Sequence, residues 1–231
     1  MIFGRDGDDM AFYGRLAYRD PKWNLWLNYL DVQQNFNAEA GFVPSARVYP
    51  GQINYHGGVT YRFYPQHKSL VWMGPVTLLN QTYIPNGTLT DRNYLLTYSF
   101  NFINTAIFEL GYNYIFQRMT NDFNPVGPYT PFLIGEEYNW HTVSASFKSN
   151  TRKIFNYAIL TTYGGFYNGT NFNINGQFKV RYQPYGNVSL LVDYLLAGAA
   201  GSSKDELWLG LEAWRWMFIA MVVPAVAYGV L

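Results

Sequence analysis

The chain has 231 residues, which is enough for one barrel or for one to two globular domains. Its formal net charge is +1 and 13% of its residues are charged, so composition gives no indication of binding to a polyanion such as nucleic acid. Cysteine is absent, which excludes disulfide frameworks, thiolate metal sites and cysteine nucleophiles. The 19% of aromatic residues and the mean hydropathy of -0.13 fit either a membrane barrel wall or an aromatic-rich soluble β-sandwich, such as a sugar-binding module.

The chain opens without a signal peptide. Its first nine residues, MIFGRDGDD, contain neither a basic region nor an apolar region of the kind that directs export. A protein of the bacterial outer membrane needs such a peptide. If the chain forms an outer-membrane barrel, we therefore expect the sequence to begin inside a longer protein and the barrel to be incomplete.

Alternation of apolar and polar side chains predicts ten strands between Ala11 and Ala197. Residues 172–182 show it most clearly, because Phe172, Ile174 and Phe178 alternate with asparagine, glutamine and lysine. A period of two places the apolar side chains on one face of a strand and the polar ones on the other. The predicted strands cover residues 11–19, 23–36, 52–64, 69–83, 93–101, 105–119, 138–148, 154–167, 172–182 and 188–197.

The connections between these strands are alternately short and long. Short ones are predicted at 20–21, 65–68, 101–104, 149–153 and 183–187, and longer ones at 37–51, 84–92 and 121–137, with a tight hairpin at Asn168-Gly169 as the exception. In an antiparallel sheet, alternate connections lie at opposite ends of the strands. This sorting is typical of an outer-membrane barrel and not of a Greek-key sandwich. We therefore predict an all-β, antiparallel (meander) transmembrane β-barrel of about ten strands, formed by residues 1–197, in the bacterial outer membrane.

The polar faces of the predicted strands supply the candidate lining of a watery lumen. Charged side chains belong on this side, because Lys or Arg at mid-membrane on the lipid side costs about 2–4 kcal/mol. The candidate lumen-lining residues are Glu109, Asn113, Asn173, Asn175, Gln177, Lys179 and Arg181.

The C-terminal segment differs from the strands. Residues 198–204 form a small-residue linker, and residues 205–231 lose the alternation and are predicted to form an apolar α-helix. Residues 214–231 carry one charge, Arg215, in eighteen positions. That length is at the lower limit for a transmembrane helix, and it suits a buried or interfacial helix equally well.

Motifs for catalysis or cofactor binding are missing from the sequence. His56, His67 and His141 share no metal-ligand spacing, and neither a G-x-S-x-G elbow nor a phosphate-binding glycine loop occurs. The acidic pair Glu136-Glu137 suits a calcium or general-acid site, or an ordinary solvated loop.

We expect a non-enzymatic pore or binding barrel without catalytic, cofactor or metal residues. It would contact outer-membrane lipid but no nucleic acid. An outer-membrane hydrolase and a soluble carbohydrate-binding β-sandwich are the alternatives.

Residues 35–44, NFNAEAGFVP, with Arg47 close by, resemble the F-x-x-E-x-G-F-V-x-R signature of a barrel family known as domain of unknown function 5916. Ser45 stands where the signature carries Arg. Further motifs follow in the family's order over residues 1–194, among them Gly74-Pro75 and Arg181-Tyr-Gln-Pro184. The resemblance implies a barrel that follows a signal peptide and an N-terminal module resembling carbohydrate-binding domains, hence glycans as partners. It implies no catalytic residues. The family-motif loop is represented by Gly41, Phe42, Val43, Pro44 and Arg47.

A second resemblance covers the last 38 or so residues. Residues 194–198 (YLLAG), 207–217 (LWLGLEAWRWM) and Val223-Pro224 look like sugar transporters of the major facilitator superfamily, around the start of their sixth membrane helix. One helix out of twelve cannot transport a solute. We therefore hypothesise that the chain is a chimera joined near Asp193, with a transporter fragment or fusion artefact as its tail.

Overall fold

A computed structural model describes residues 9–36, 51–122, 133–182 and 184–199. These residues form ten β-strands joined by turns and loops. The strands are β1 (Ala11–Arg19), β2 (Trp23–Val32), β3 (Gln52–Tyr61), β4 (Leu70–Tyr83), β5 (Leu89–Phe102), β6 (Ile107–Arg118), β7 (Glu137–Lys148), β8 (Phe155–Phe166), β9 (Gly169–Tyr182) and β10 (Gly186–Ala199).

The strands make one sheet in sequence order, from β1 to β10. Each strand pairs antiparallel with the next along the chain, as in a meander. The predicted all-β antiparallel meander of ten strands is therefore confirmed. Within the described ranges no helix has the length and hydropathy needed to cross a bilayer. The predicted helix at 205–231 and the family-motif loop (Gly41, Phe42, Val43, Pro44 and Arg47) lie outside the described residues.

The connection between β4 and β5 is shorter than the sequence indicated. It covers residues 84–88 rather than 84–92, because β5 begins at Leu89. Hydrogen bonds close this turn: the Ile84 N–H donates to the Thr88 carbonyl at 3.0 Å, and the Asn86 side-chain oxygen accepts from the Thr88 N–H at 2.9 Å. Residues 89–92, which follow, resemble a loop in sequence, although their backbone pairs as a strand. The long connections that remain are 33–51 and 119–136.

The hairpin between β8 and β9 also differs by one residue from its prediction. Phe166 pairs with Gly169, so the turn consists of Tyr167 and Asn168 and the glycine already belongs to β9. Tyr167 adopts a left-handed conformation with φ of 53°. A left-handed residue lets a two-residue turn follow the twist of the strands that it joins.

Contacts divide the described residues into two compact units. The first contains those within Met1–Arg62, Pro75–Leu96 and Asn113–Trp140, and the second those within Phe63–Gly74, Thr97–Tyr112 and His141–Leu231. The first unit thus holds β1–β3 and the parts of β4–β7 next to the connections 84–88 and 119–136. The second unit holds the rest of β4–β7 together with β8–β10.

In the first unit one face of the sheet is apolar and accessible. Leu27 pairs with Gly57 and with Leu16 in the neighbouring strands, and Gly57 pairs with Leu79. We call this side the apolar face of the first unit. Leu16, Leu27, Val59 and Leu79 on it are all exposed. The opposite, polar face carries Arg15, Asn28, His56, Asn54 and Asn80.

The second unit shows the same division. Its apolar face holds the register row Val143, Tyr163 and Phe172, and the row Tyr157, Phe178 and Leu190. Leu190, at 46%, is among the exposed side chains of this face. The opposite face holds the alternate residues, among them Ser144, Thr162 and Asn173. A two-sided sheet with exposed apolar residues follows directly from the period of two in the sequence.

Candidate functional site

A cavity of about 730 Å³ lies on the polar face of the second unit. Its walls come from β6 to β10, because alternate side chains of all five strands point to this side of the sheet. Polar and charged groups mix with leucine, isoleucine and alanine along these walls. The polar and charged lining side chains include Glu109, Ser146, Lys148, Asn175, Gln177 and Asp193.

Strand register arranges the cavity residues in rows that run across the sheet. The carboxylate row consists of Ser146, Leu160, Asn175 and Asp193, which are Cα partners in successive strands. Glu109 of β6 extends it, because its carboxylate accepts a hydrogen bond from the Ser146 hydroxyl at 3.3 Å. The row therefore has a carboxylate at each flank.

The next row along the strands carries a positive charge. Lys148, Ala158, Gln177 and Leu191 are Cα partners in successive strands, and we call this set the lysine row. Beyond it lies Lys179, paired with Asn156 and Ser189. Neighbouring rows are two residues apart, or roughly 6.6 Å along a strand. The charge on this face thus changes from negative to positive over one row.

Amide groups border the carboxylate row on its other side. The Asn173 Nδ2 donates to Asp193 Oδ1 at 3.3 Å. Its Oδ1 is buried and accepts no hydrogen bond from the described residues, and the same holds for Asn171 Oδ1. Buried amide oxygens are usually hydrogen-bonded, so this part of the polar face retains unused acceptor capacity.

The structure brings together three of the seven residues predicted to line a lumen. Glu109, Asn175 and Gln177 line the cavity. The polar face of β9, which carries Asn175 and Gln177, also carries Asn173, Lys179 and Arg181. Asn113 lies on β6 in the first unit. A lumen-lining role for all seven stays a prediction.

Four charged or hydroxyl residues of the cavity, Ser146, Lys148, Ser189 and Asp193, are absent from the set predicted from sequence. Ser146 and Lys148 alternate with Ala145 and Phe147 in β7, so the period of two was a usable signal there. Asp193 was harder to find, because Leu190 and Leu191 are adjacent and interrupt the alternation of β10. Only the pairing of Asp193 with Asn175 assigns it to the polar face.

Glu136, Glu137 and His141 each have a separate hydrogen-bond or ion-pair partner. Glu136 accepts hydrogen bonds from the Tyr138 hydroxyl at 2.6 Å and from the Leu133 N–H at 3.0 Å. The hydrogen bond from Tyr138, and then the one from Leu133, hold the pKa of the Glu136 carboxyl below its usual value. A carboxyl with a lowered pKa is a poor general acid at neutral pH. Glu137 forms an ion pair with Arg118, and His141 Nδ1 bonds the Tyr112 hydroxyl at 2.6 Å.

A metal site in a protein needs several ligand side chains close together. Among the residues that the structure describes, no group of three or more His, Cys, Asp and Glu side chains is placed to hold a metal ion.

A row of tyrosines crosses the apolar face of the first unit. Ring centroids of Tyr29 and Tyr55 are 5.2 Å apart, those of Tyr55 and Tyr83 are 6.0 Å apart, and those of Tyr94 and Tyr114 are 6.2 Å apart. Gln81 joins the two groups, because it accepts from the Tyr83 hydroxyl and donates to the Tyr94 hydroxyl. Tyrosine has an apolar ring and a polar tip, which suits the boundary between lipid and water.

The second unit has its own aromatic row on the apolar face. Centroids of Phe100 and Phe108 lie 5.9 Å apart, and Tyr157 lies 5.9 Å from Phe147 and 6.4 Å from Phe178. These residues stand near the strand ends that adjoin the connections 103–106, 149–154 and 183–185. Membrane barrels carry aromatic girdles at such positions.

Comparison with known proteins finds a short partial match. A stretch of 44 residues is 46% identical to a protein named "Glucose transport protein" from Synechocystis sp.. The match covers 19% of this chain and 9% of that protein. No family model matches the chain, and no solved structure matches it.

Proposed function

We propose that this chain forms part of the wall of a bacterial outer-membrane β-barrel, whose polar face lines an aqueous lumen for polar solutes. The observation that carries the proposal is the exposure of the apolar face in each unit. On inner strands, Val59 of the first unit is 39% exposed and Val143 of the second unit is 53% exposed, whereas Ser99, on the polar face of the second unit, is 2% exposed. A soluble domain has the opposite arrangement, with apolar side chains inside and polar ones in water.

The positions of the buried apolar residues support the same proposal. Within the described ranges these are Val32, Ala106, Met119 and Trp140. Val32 ends β2, and Ala106 and Met119 flank β6, so three of the four stand at strand ends or in connections. A sheet whose apolar side chains are mostly exposed gains little from the hydrophobic effect in water, whereas lipid would cover them.

Strand length and the aromatic rows agree with a membrane setting. The strands have 9 to 14 residues, and a tilted transmembrane strand needs about 9–11. The tyrosine row of the first unit and the aromatic row of the second unit would each lie at a lipid–water boundary.

The terminal strands of the sheet bear on its completeness. Within the described residues, β1 and β10 each pair with a single neighbour. Lipid does not tolerate an open strand edge, because no water is present to satisfy its N–H and C=O groups. We propose that further pairing completes both edges in the assembled wall.

The cargo is proposed only as a class, polar solutes. Glycans as partners, an N-terminal carbohydrate-binding-like module and a chimeric join near Asp193 stay predictions from resemblance. Across the proposed join, β10 continues to pair with β9 as far as Ala199 opposite Gly169. Sequencing reads across this position in the source DNA would test the chimera.

Two adjacent leucines provide the sharpest test of the barrel. Leu190 pairs with Phe178 on the apolar face and Leu191 pairs with Gln177 on the polar face, although both are exposed. In a lipid-embedded wall, Leu190→Arg should lower the free energy of unfolding by up to about 1 kcal/mol, because its partner Phe178 belongs to the aromatic row near the lipid–water boundary. Leu191→Arg should change it much less, because its charge remains in water. Unfolding would be measured in detergent micelles and in lipid vesicles.

The controls separate a barrel from a soluble sandwich. The wild-type protein should require detergent for extraction and should migrate differently on gels before and after heating. A soluble sheet would stay in buffer, and it would respond equally to Arg at either leucine. That pair of results would overturn the proposal.

A further inference from the structure

We propose that the cavity of the second unit binds a zwitterionic solute of about dipeptide length. Its ammonium group would lie at the carboxylate row, and its carboxylate group would lie toward the lysine row. The inference rests on the proposed function, since it requires the polar face to be reached by water and solute.

The first argument is the separation of charge inside one cavity. Glu109 and Asp193 stand at the two flanks of the carboxylate row, where they can accept hydrogen bonds from an ammonium group. Lys148 lies in the adjacent row, with Lys179 one row further. Hydrogen bonds between ionised partners are stronger than those between neutral groups, so each row favours the opposite charge of a solute.

The spacing of the two rows matches the length of a dipeptide. The two rows are roughly 6.6 Å apart along the strands. An extended peptide spans about 3.3–3.6 Å per residue, so two residues span about 7 Å. The cavity volume of about 730 Å³ leaves room for such a molecule with water around it, because small-molecule sites usually measure about 300–1,000 Å³.

The same two rows also carry amide side chains. Asn175 belongs to the carboxylate row and Gln177 to the lysine row, and both line the cavity on the same strand. An amide side chain offers a donor and an acceptor, as the peptide group of a dipeptide requires. A simple cation would face Lys148 and a simple anion would face Glu109 and Asp193, so the arrangement disfavours a solute with one sign of charge.

The test uses the full chain in detergent micelles and measures binding by calorimetry. The probes are glycylglycine, its N-acetyl derivative, its C-terminal amide, and glucose. We expect glycylglycine to bind about threefold to tenfold more tightly than either blocked derivative, because each derivative loses one charge-assisted contact. Glucose, without either charge, should bind more weakly than glycylglycine.

Two variants assign each end of the probe. Glu109→Gln combined with Asp193→Asn removes both carboxylates of the row, retains the acceptor for the Ser146 hydroxyl and should abolish the preference for glycylglycine over its N-acetyl derivative. Lys148→Met should abolish the preference over the amide. Lys153→Gln, in the turn between β7 and β8 and outside the cavity, is the matched control and should keep both preferences.

The outcomes distinguish this inference from the proposed function. Equal binding of all four probes, absence of binding, or a preference for glucose would overturn the zwitterion site. If the Leu190→Arg and Leu191→Arg variants still differ as expected in lipid, the barrel survives such a result. If both variants behave alike while glycylglycine is still preferred, only the barrel fails.

Discussion

Gly164 is the position where one added methyl group should harm the sheet most. It lies in β8 with φ of 155°, a conformation that side chains rarely adopt. A Cβ there would stand 2.2 Å from the His141 carbonyl oxygen and 2.6 Å from the Thr142 Cα. Both atoms belong to the backbone of β7, so the contact can be relieved only if the two strands move apart by about 1 Å.

We expect Gly164→Ala to lower the free energy of unfolding by about 2–6 kcal/mol. Overpacking contributes about 1–3 kcal/mol and the glycine-only backbone conformation about another 1–3 kcal/mol. Such a change corresponds to a drop of about 1–3 M in the urea midpoint at a slope of about 2 kcal/mol/M. Tryptophan fluorescence during unfolding in micelles would measure it.

Gly186→Ala is the matched control in the same unit. Gly186 begins β10, and a Cβ there meets no atom within 4 Å. Alanine at such a site should leave stability unchanged or raise it by up to about 1 kcal/mol. Equal midpoints for Gly164→Ala and Gly186→Ala would refute the reasoning, because they would mean that β7 and β8 do not approach each other as closely as described.

Three further predictions concern the lumen, a turn and the polar face of the first unit. Lys179→Glu should shift the reversal potential in planar bilayers toward cation selectivity without unfolding the wall, whereas Lys153→Glu in a turn should not; an unchanged potential would contradict a conducting lumen. Hydrogen bonds from the Trp23 backbone N–H and then from the Tyr18 hydroxyl lower the pKa of the Asp20 carboxyl. The stabilisation that this carboxylate gives the folded protein is therefore present above the unfolded value of about 3.9, and it is lost as the pH falls through the lower folded pKa. Asp20→Asn should therefore destabilise the protein at neutral pH, and its difference from wild type should shrink in acid unfolding curves. Gly58→Ala should displace the Trp26 indole, whose Nε1 would lie 2.9 Å from the new Cβ, and the resulting change in emission should vanish in a Trp26→Phe background.

Much of the fold could be predicted because a strand records its two faces in alternate residues. Phe172 to Tyr182 was assigned to opposite faces correctly, and β1 was predicted at its observed bounds, Ala11–Arg19. Two predicted strands, 23–36 and 52–64, end earlier in the structure, at Val32 and Tyr61. Other errors lie where backbone pairing continues through polar residues. Leu89 to Arg92 and Gly169 to Asn171 belong to strands, although their side chains resemble those of a loop.

The candidate site was predicted only in part, for a similar reason. Glu109, Asn175 and Gln177 could be assigned to a polar face from their own strands, whereas their shared cavity depends on how β6 to β10 pair. Asp193 sits among leucines, and its place opposite Asn175 follows from the register of β9 and β10. Register results from the pairing of distant strands, which one strand's sequence does not encode.

The strand class, the strand number and the two sides of most strands follow from the amino-acid sequence alone, because a local period of two records them; β10, where Leu190 and Leu191 are adjacent, breaks this pattern. The tertiary structure decided which residues of different strands share a row, and so placed two carboxylates at one level and a lysine at the next. It also showed that the apolar sides of both units are exposed. Which side of a sheet is covered depends on what packs against that side, which a single strand's sequence does not record. The exposure of the apolar sides is the physical basis for proposing lipid on one side and water on the other.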